Sequence, residues 1–76
     1  MATLSVVGSD DIGIVTNISS IINKQPGASL RNISIDSHDG IFHGYLIVGV
    51  ENTEILKQLI TKISTVKGVK DVQRGN

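Results

Sequence analysis

Apolar residues along this chain follow two different periods, and the switches between them mark out its elements. Leu4 and Val6 stand two apart on one face of a short apolar run, which predicts a strand over Thr3–Val7. From Ile14 the spacing changes. Ile14, Val15, Ile18, Ile21 and Ile22 fall at i, i+1, i+4, i+7 and i+8, one face of a helix. Pro26-Gly27 stops that helix, and Asp10 or Asp11 is its expected N-cap, because a short acceptor side chain there satisfies an orphan N–H. Ile55, Leu56, Leu59, Ile60, Ile63 and Val66 form a second helical stripe that Asn52 can cap and Lys67-Gly68 should end. Val69–Arg74 supplies a last short strand.

The segment from Leu30 to Val50 reads as a hairpin with its own internal test. Asp39-Gly40 suits a two-residue type I′ turn, in which both central residues need positive φ. Such a turn pairs His38 with Ile41, Asp36 with His43, Ile35 with Gly44 and Ile33 with Leu46. Ile33, Ile35, Phe42, Leu46 and Val48 then share one face. Asn32, Ser34, Asp36, His38, Ile41, His43, Tyr45 and Ile47 share the other. One set is apolar and the other mostly polar, as a half-buried antiparallel pair requires. The resulting order is βαββαβ, an α+β chain of the ferredoxin-like type. Right-handed crossovers place both helices on one face of a four-stranded antiparallel sheet, with residues 1–76 forming a single domain. Tyr45, Ile47 and Ile41, with Val7 beside them, form a patch on the helix-free face suited to packing against another chain or domain. The second strand from Ser29 to Ser37 is an edge largely open to pairing.

Size and charge narrow the function classes. A chain of 76 residues buries only roughly 60–65% of its unfolded surface, and without cysteine it has no disulfide or thiolate metal site to supplement that core. Association with a partner or a second copy is the remaining way to bury more. Seven Lys and Arg balance seven Asp and Glu, which leaves no basic surplus for holding phosphate backbones. No apolar run approaches a bilayer span, and Met1-Ala2-Thr3 opens no signal peptide, so the expected setting is cytoplasmic, with no membrane partner. On that basis Asn17-Ile-Ser19 and Asn32-Ile-Ser34 are chance matches to a glycosylation pattern.

The richest stretch for chemistry is Gly8-Ser-Asp-Asp-Ile-Gly-Ile-Val15, where the first strand hands over to the first helix. Its Gly8-x-x-x-x-Gly13 spacing resembles a phosphate-binding loop, but Ile14-Val15 stands where that motif needs Lys-Ser/Thr, so nucleotide binding of that kind is excluded. A helix start still offers unpaired N–H groups and a positive dipole end to a small ligand or a capping acid. His38, His43, Asp36 and Asp39 gather at the hairpin tip, with no cysteine or helical His pair to complete a metal site and no cleft for a Ser-His-acid arrangement. No catalytic residue, metal or cofactor is expected. RNA-binding domains of the RRM type share the element order. They stack bases on two or three sheet aromatics, whereas only Tyr45 faces outward here.

Over essentially its whole length the chain resembles an ACT domain, a regulatory module that senses small molecules. The resemblance rests on the strand ending at Gly8 followed by Asp10-Asp-Ile-Gly13-Ile-Val15. More narrowly, Leu30-Arg-Asn-Ile-Ser-Ile-Asp-Ser-His-Asp-Gly-Ile-Phe42 and Val66-Lys-Gly-Val-Lys-Asp-Val-Gln-Arg74 are similar to the C-terminal ACT domain of (p)ppGpp synthetase/hydrolases, the GTP pyrophosphokinases of the stringent response. This resemblance implies a non-catalytic module, either carried by such an enzyme or free-standing. It also implies side-by-side pairing through the first helix and second strand, or equivalent interdomain contacts, with an amino acid at the interface, branched-chain ones favoured. The implied ligand contacts are Gly8, Asp10, Asp11, Ile12 and Gly13 of one copy and Ser29 and Leu30 of the other, with Asn32, Ser34, Tyr45 and Ile47 at interfaces. Asp11 stands where relatives often carry a basic residue and Ile12 where they carry proline, so this loop favours a ligand's ammonium over its carboxylate. In a full-length parent the resemblance further implies ribosome and tRNA as partners.

Overall fold

The computed structural model describes residues 1–9 and 13–75. Its elements are β1 (Ala2–Ser9), α1 (Ile14–Lys24), β2 (Ala28–His38), β3 (Ile41–Val50), α2 (Thr53–Ser64) and β4 (Val69–Arg74). The four strands form one antiparallel sheet in the order β2-β3-β1-β4, with both helices packed on one face. This is the ferredoxin-like arrangement that the two hydrophobic periods predict. Alternation along β1 buries Ala2, Leu4 and Val6, and β3 buries Phe42, Leu46 and Val48 against the helices. Helix α1 contributes Ile14, Ile18 and Ile22, and α2 contributes Leu56, Leu59 and Ile63. Each such side chain taken out of water is worth ~1.5–3 kcal/mol, so the helix stripes, more than helix propensity, hold α1 and α2 in place.

The hairpin register is the expected one from Ile33 to Leu46 and through the turn. Asp39 and Gly40 both have positive φ, 52° and 76°, as a type I′ turn demands. Beyond Ile33 the hairpin outruns the helices. Residues 34–41 are all exposed, including Ile35 at 42% on the nominally apolar face. Nearer the start of β2 the pairing steps from Leu30↔Val48 to Asn32↔Ile47, leaving Arg31 as a bulge.

The two helix starts differ. Asn52 caps α2 as expected, its Oδ1 accepting from the Ile55 N–H at 3.0 Å. Replacing Asn52 with Ala should lower stability by about 1 kcal/mol, read as a fall in the urea midpoint with unchanged slope. Helix α1 departs from the expectation of an aspartate cap. Its N-cap is Gly13, at φ 92° and with no side-chain cap bond, because helical geometry begins at the buried Ile14. Asp10, Asp11 and Ile12 lie outside the described residues.

The end of α2 is also earlier than Lys67-Gly68. The helix stops at Ser64, where the Ser64 and Thr65 hydroxyls bond back to the Thr61 and Lys62 carbonyls at 2.7 and 2.6 Å. Such back-bonding competes with further helical turns. Gly68, at φ 96°, instead turns the chain into β4. Among the described residues no helix is long and apolar enough to cross a membrane.

Candidate functional site

Of the residues that the sequence marks for ligand contact, those described fall at two ends of the sheet, and Asp10, Asp11 and Ile12 lie outside the described residues. Gly8 is the penultimate residue of β1, buried and paired with Phe42 on one side and Val69 on the other. Its glycine is accounted for within the chain. A methyl there would overlap the Gly68 carbonyl oxygen and come within 3.1 Å of Val69 Cα. Gly13 is different: among the described residues, a Cβ built on it meets nothing within 4 Å. The first turn of α1 carries no acidic side chain, so within that turn nothing offsets the positive dipole end of the helix.

Ser29 and Leu30 sit at the opposite end, where β2 begins. Ser29 is exposed and pairs with Gly49. Leu30 is partly buried and packs against the core, because the Arg31 bulge resets the alternation of β2. Along β3, Phe42 to Gly49 separates the two ends by roughly 23 Å at ~3.3 Å per residue. One chain therefore does not bring Gly8 and Ser29 together.

The four interface candidates do converge. Asn32 pairs with Ile47 and Ser34 with Tyr45, on the helix-free face. There Tyr45 is 51% exposed and Ile41 43%, and Thr3 and Ser5 of β1 continue the surface beside Ile47 and Tyr45. Phe42 is buried at 1%, so Tyr45 is the single sheet aromatic available for base stacking. At the hairpin tip, Asp36 faces His43 in register, but the side-chain contact there joins His38 Nε2 to Asp39 Oδ2 at 3.3 Å in open solvent. Among the described residues no three His, Cys, Asp or Glu side chains come together to hold a metal.

Two features escape the sequence reading. A depression of about 450 Å³ at the β2 start is lined by Ser29, Arg31, Gly49 and Glu51 among others. The isolated Gly49 inside an apolar strand was its one available signal. Gln25, which follows α1, is a buried polar residue at 7% exposure. Its Nε2 donates to Gln58 Oε1 at 3.0 Å and its Oε1 accepts from Lys62 Nζ, tying the end of α1 to α2.

Fold and surfaces together define a ferredoxin-like α+β module whose candidate chemistry is binding. Residues 1–74 match the family model for the ACT domain. The chain belongs to the ACT domain family, whose members are regulatory, ligand-binding and non-catalytic modules. Among solved structures it is similar to the ACT domain from GTP pyrophosphokinase of Chlorobium tepidum. In the crystal structure of that domain the identity is 36% over 96% of this chain and 94% of that one, with a TM-score of 0.83. Its solution structure gives 36% identity over 99% and 85%, with a TM-score of 0.80. An ACT domain protein from Streptococcus pneumoniae is 26% identical over 96% of this chain and 86% of that one, with a TM-score of 0.72. A comparison with curated protein sequences returned no match.

Proposed function

We propose that residues 1–76 form a single regulatory unit, the C-terminal module of a cytoplasmic (p)ppGpp synthetase/hydrolase. It works by pairing its α1/β2 side with a second copy or a neighbouring domain. The likeness to the Chlorobium domain supports the parentage. One geometric observation carries the pairing: the implied ligand contacts lie at opposite ends of the sheet, and β2 is an 11-residue strand on its edge. Two such edges meeting antiparallel reverse one copy against the other. The Ser29 end of one then lies beside the Gly13 end of its partner. A site divided within one chain becomes whole between two, and an amino acid held there links ligand level to association.

Size-exclusion chromatography with light scattering over a concentration series tests the pairing. The expected mass rises from the 8.1 kDa chain towards twice that value, and L-valine or L-isoleucine moves the transition to lower protein concentration. A strict monomer at the highest concentration removes the homodimer. Within a full-length parent, ribosome and tRNA are the expected partners of the assembled enzyme. Gly13, where an added Cβ would meet none of the described residues within 4 Å, also supports a free-standing amino-acid sensor, which keeps the same ligand dependence without the parent enzyme.

A further inference from the structure

We infer that β4, the sheet edge opposite β2, accepts an extended acidic protein segment, which adds to the sheet as a further strand. β4 ends the order β2-β3-β1-β4, with β1 on one side of it. The Gly75 N–H donates to the Thr3 carbonyl at 2.7 Å, so these two residues face each other as a hydrogen-bonded pair of the β1–β4 ladder. Antiparallel ladders alternate, and Gln73 and Asp71 in turn direct their peptide groups to Ser5 and Val7. Val72 and Arg74 direct theirs outward, presenting two N–H and two C=O groups to a further strand. Lys70 is the unpaired residue where the ladder shifts register, so the regular stretch of edge begins after it.

Charge selects the occupant. Residues 53–74 carry five of the seven Lys and Arg but two of the seven Asp and Glu, so the α2–β4 side is basic in a neutral chain. Lys67, Lys70 and Arg74 are exposed along this edge, and Asp71 is the one acid of β4. Among the described residues none of these three cations has an ion-pair partner. The same strand of a second copy is a poor occupant. Antiparallel pairing centred on Val72 would bring Arg74 and Lys70 of the two copies opposite each other, like charge against like. RNA also fits less well than protein, because its bases stack on aromatic side chains. Phe42 is buried, and Tyr45 stands on β3 with β1 between it and this edge. An acidic strand uses both the outward peptide groups and the cations. This surface is separate from the α1/β2 side and stands whether or not copies pair there.

Amide chemical shifts of the ¹⁵N-labelled chain, titrated with the hexapeptide Ac-Glu-Val-Glu-Val-Glu-Val-NH2, test the edge. Expected are saturable shifts at Val69–Arg74 with millimolar peptide, and weaker binding as salt rises from about 0.05 to 0.5 M. Lys70→Glu and Arg74→Glu should each weaken binding about threefold to tenfold, and the double variant should prefer the peptide with Lys in place of Glu. Both side chains are exposed, so these variants keep their fold. A hexapeptide alternating Glu with Pro keeps the charge, but it lacks half the N–H groups and favours polyproline II. It should bind at least about fivefold more weakly. Equal binding of that peptide overturns strand addition. Shifts centred on β2, no shifts at millimolar peptide, or tighter binding of hexauridylate at the same residues each overturn the inference as well.

Discussion

Phe42→Ala should cost about 3–5 kcal/mol, the usual range for emptying a buried aromatic site. A chain of 76 residues has a total stability of roughly 4–11 kcal/mol at typical values per residue, so this variant sits at or past the edge of folding. Phe42 is 1% exposed in the central strand β3. Its ring lies over Gly44, with Cε1 and Cζ 2.9 and 3.0 Å from where a Cβ on that glycine would be. Removing the ring therefore opens a gap above a residue with no side chain to fill it. Urea denaturation followed by circular dichroism measures the loss. A change below ~1 kcal/mol would mean that α1 and α2 can settle onto the vacated sheet.

Gly8→Ala should cost ~2–4 kcal/mol, because the conflict is with backbone. The added methyl overlaps the Gly68 carbonyl, and that same oxygen accepts the Ser9 N–H at 2.8 Å. Relieving the overlap moves the turn into β4 and breaks this bond. The β1–β4 ladder already shifts register between Val7 and Gly8, which leaves little slack. Gly40→Ala is the control. A methyl there touches none of the described residues within 4 Å, so its cost is the ~1–2 kcal/mol of holding an alanine at positive φ. If the two variants are equally stable, the close approach of Gly68 is not what requires a glycine at position 8. Because that requirement is met within the fold, a Gly8 variant that loses ligand response reports on stability before it reports on contact.

Stability and function are linked here by size. A core built from two helices and one sheet face leaves the other face and the β2 edge to solvent. The proposed association at the edge would offset part of the thin margin. A ligand that binds only the paired form would then raise stability together with affinity between copies.

The elements and most of the hairpin were legible in the sequence because their causes are local. The helix faces come from residues three and four apart. The hairpin register from Ile33 to Leu46 follows from the Asp39-Gly40 turn, and Asn52 is three residues from the N–H it caps. Among the site residues, the pairing of Asn32 with Ile47 and of Ser34 with Tyr45 was legible for the same reason. Tertiary structure decided what depends on distant segments. The core takes up Ile14, so the cap falls on Gly13. Gly68, sixty residues along the chain from Gly8, explains that glycine. The Arg31 bulge turns Leu30 to the core and gathers Ser29, Arg31 and Gly49 into one corner. A repeat of two or 3.6 residues specifies which side of an element faces inward. It carries no information about which other element arrives there, and that arrival sets Gly8 at one end of the sheet and Ser29 at the other.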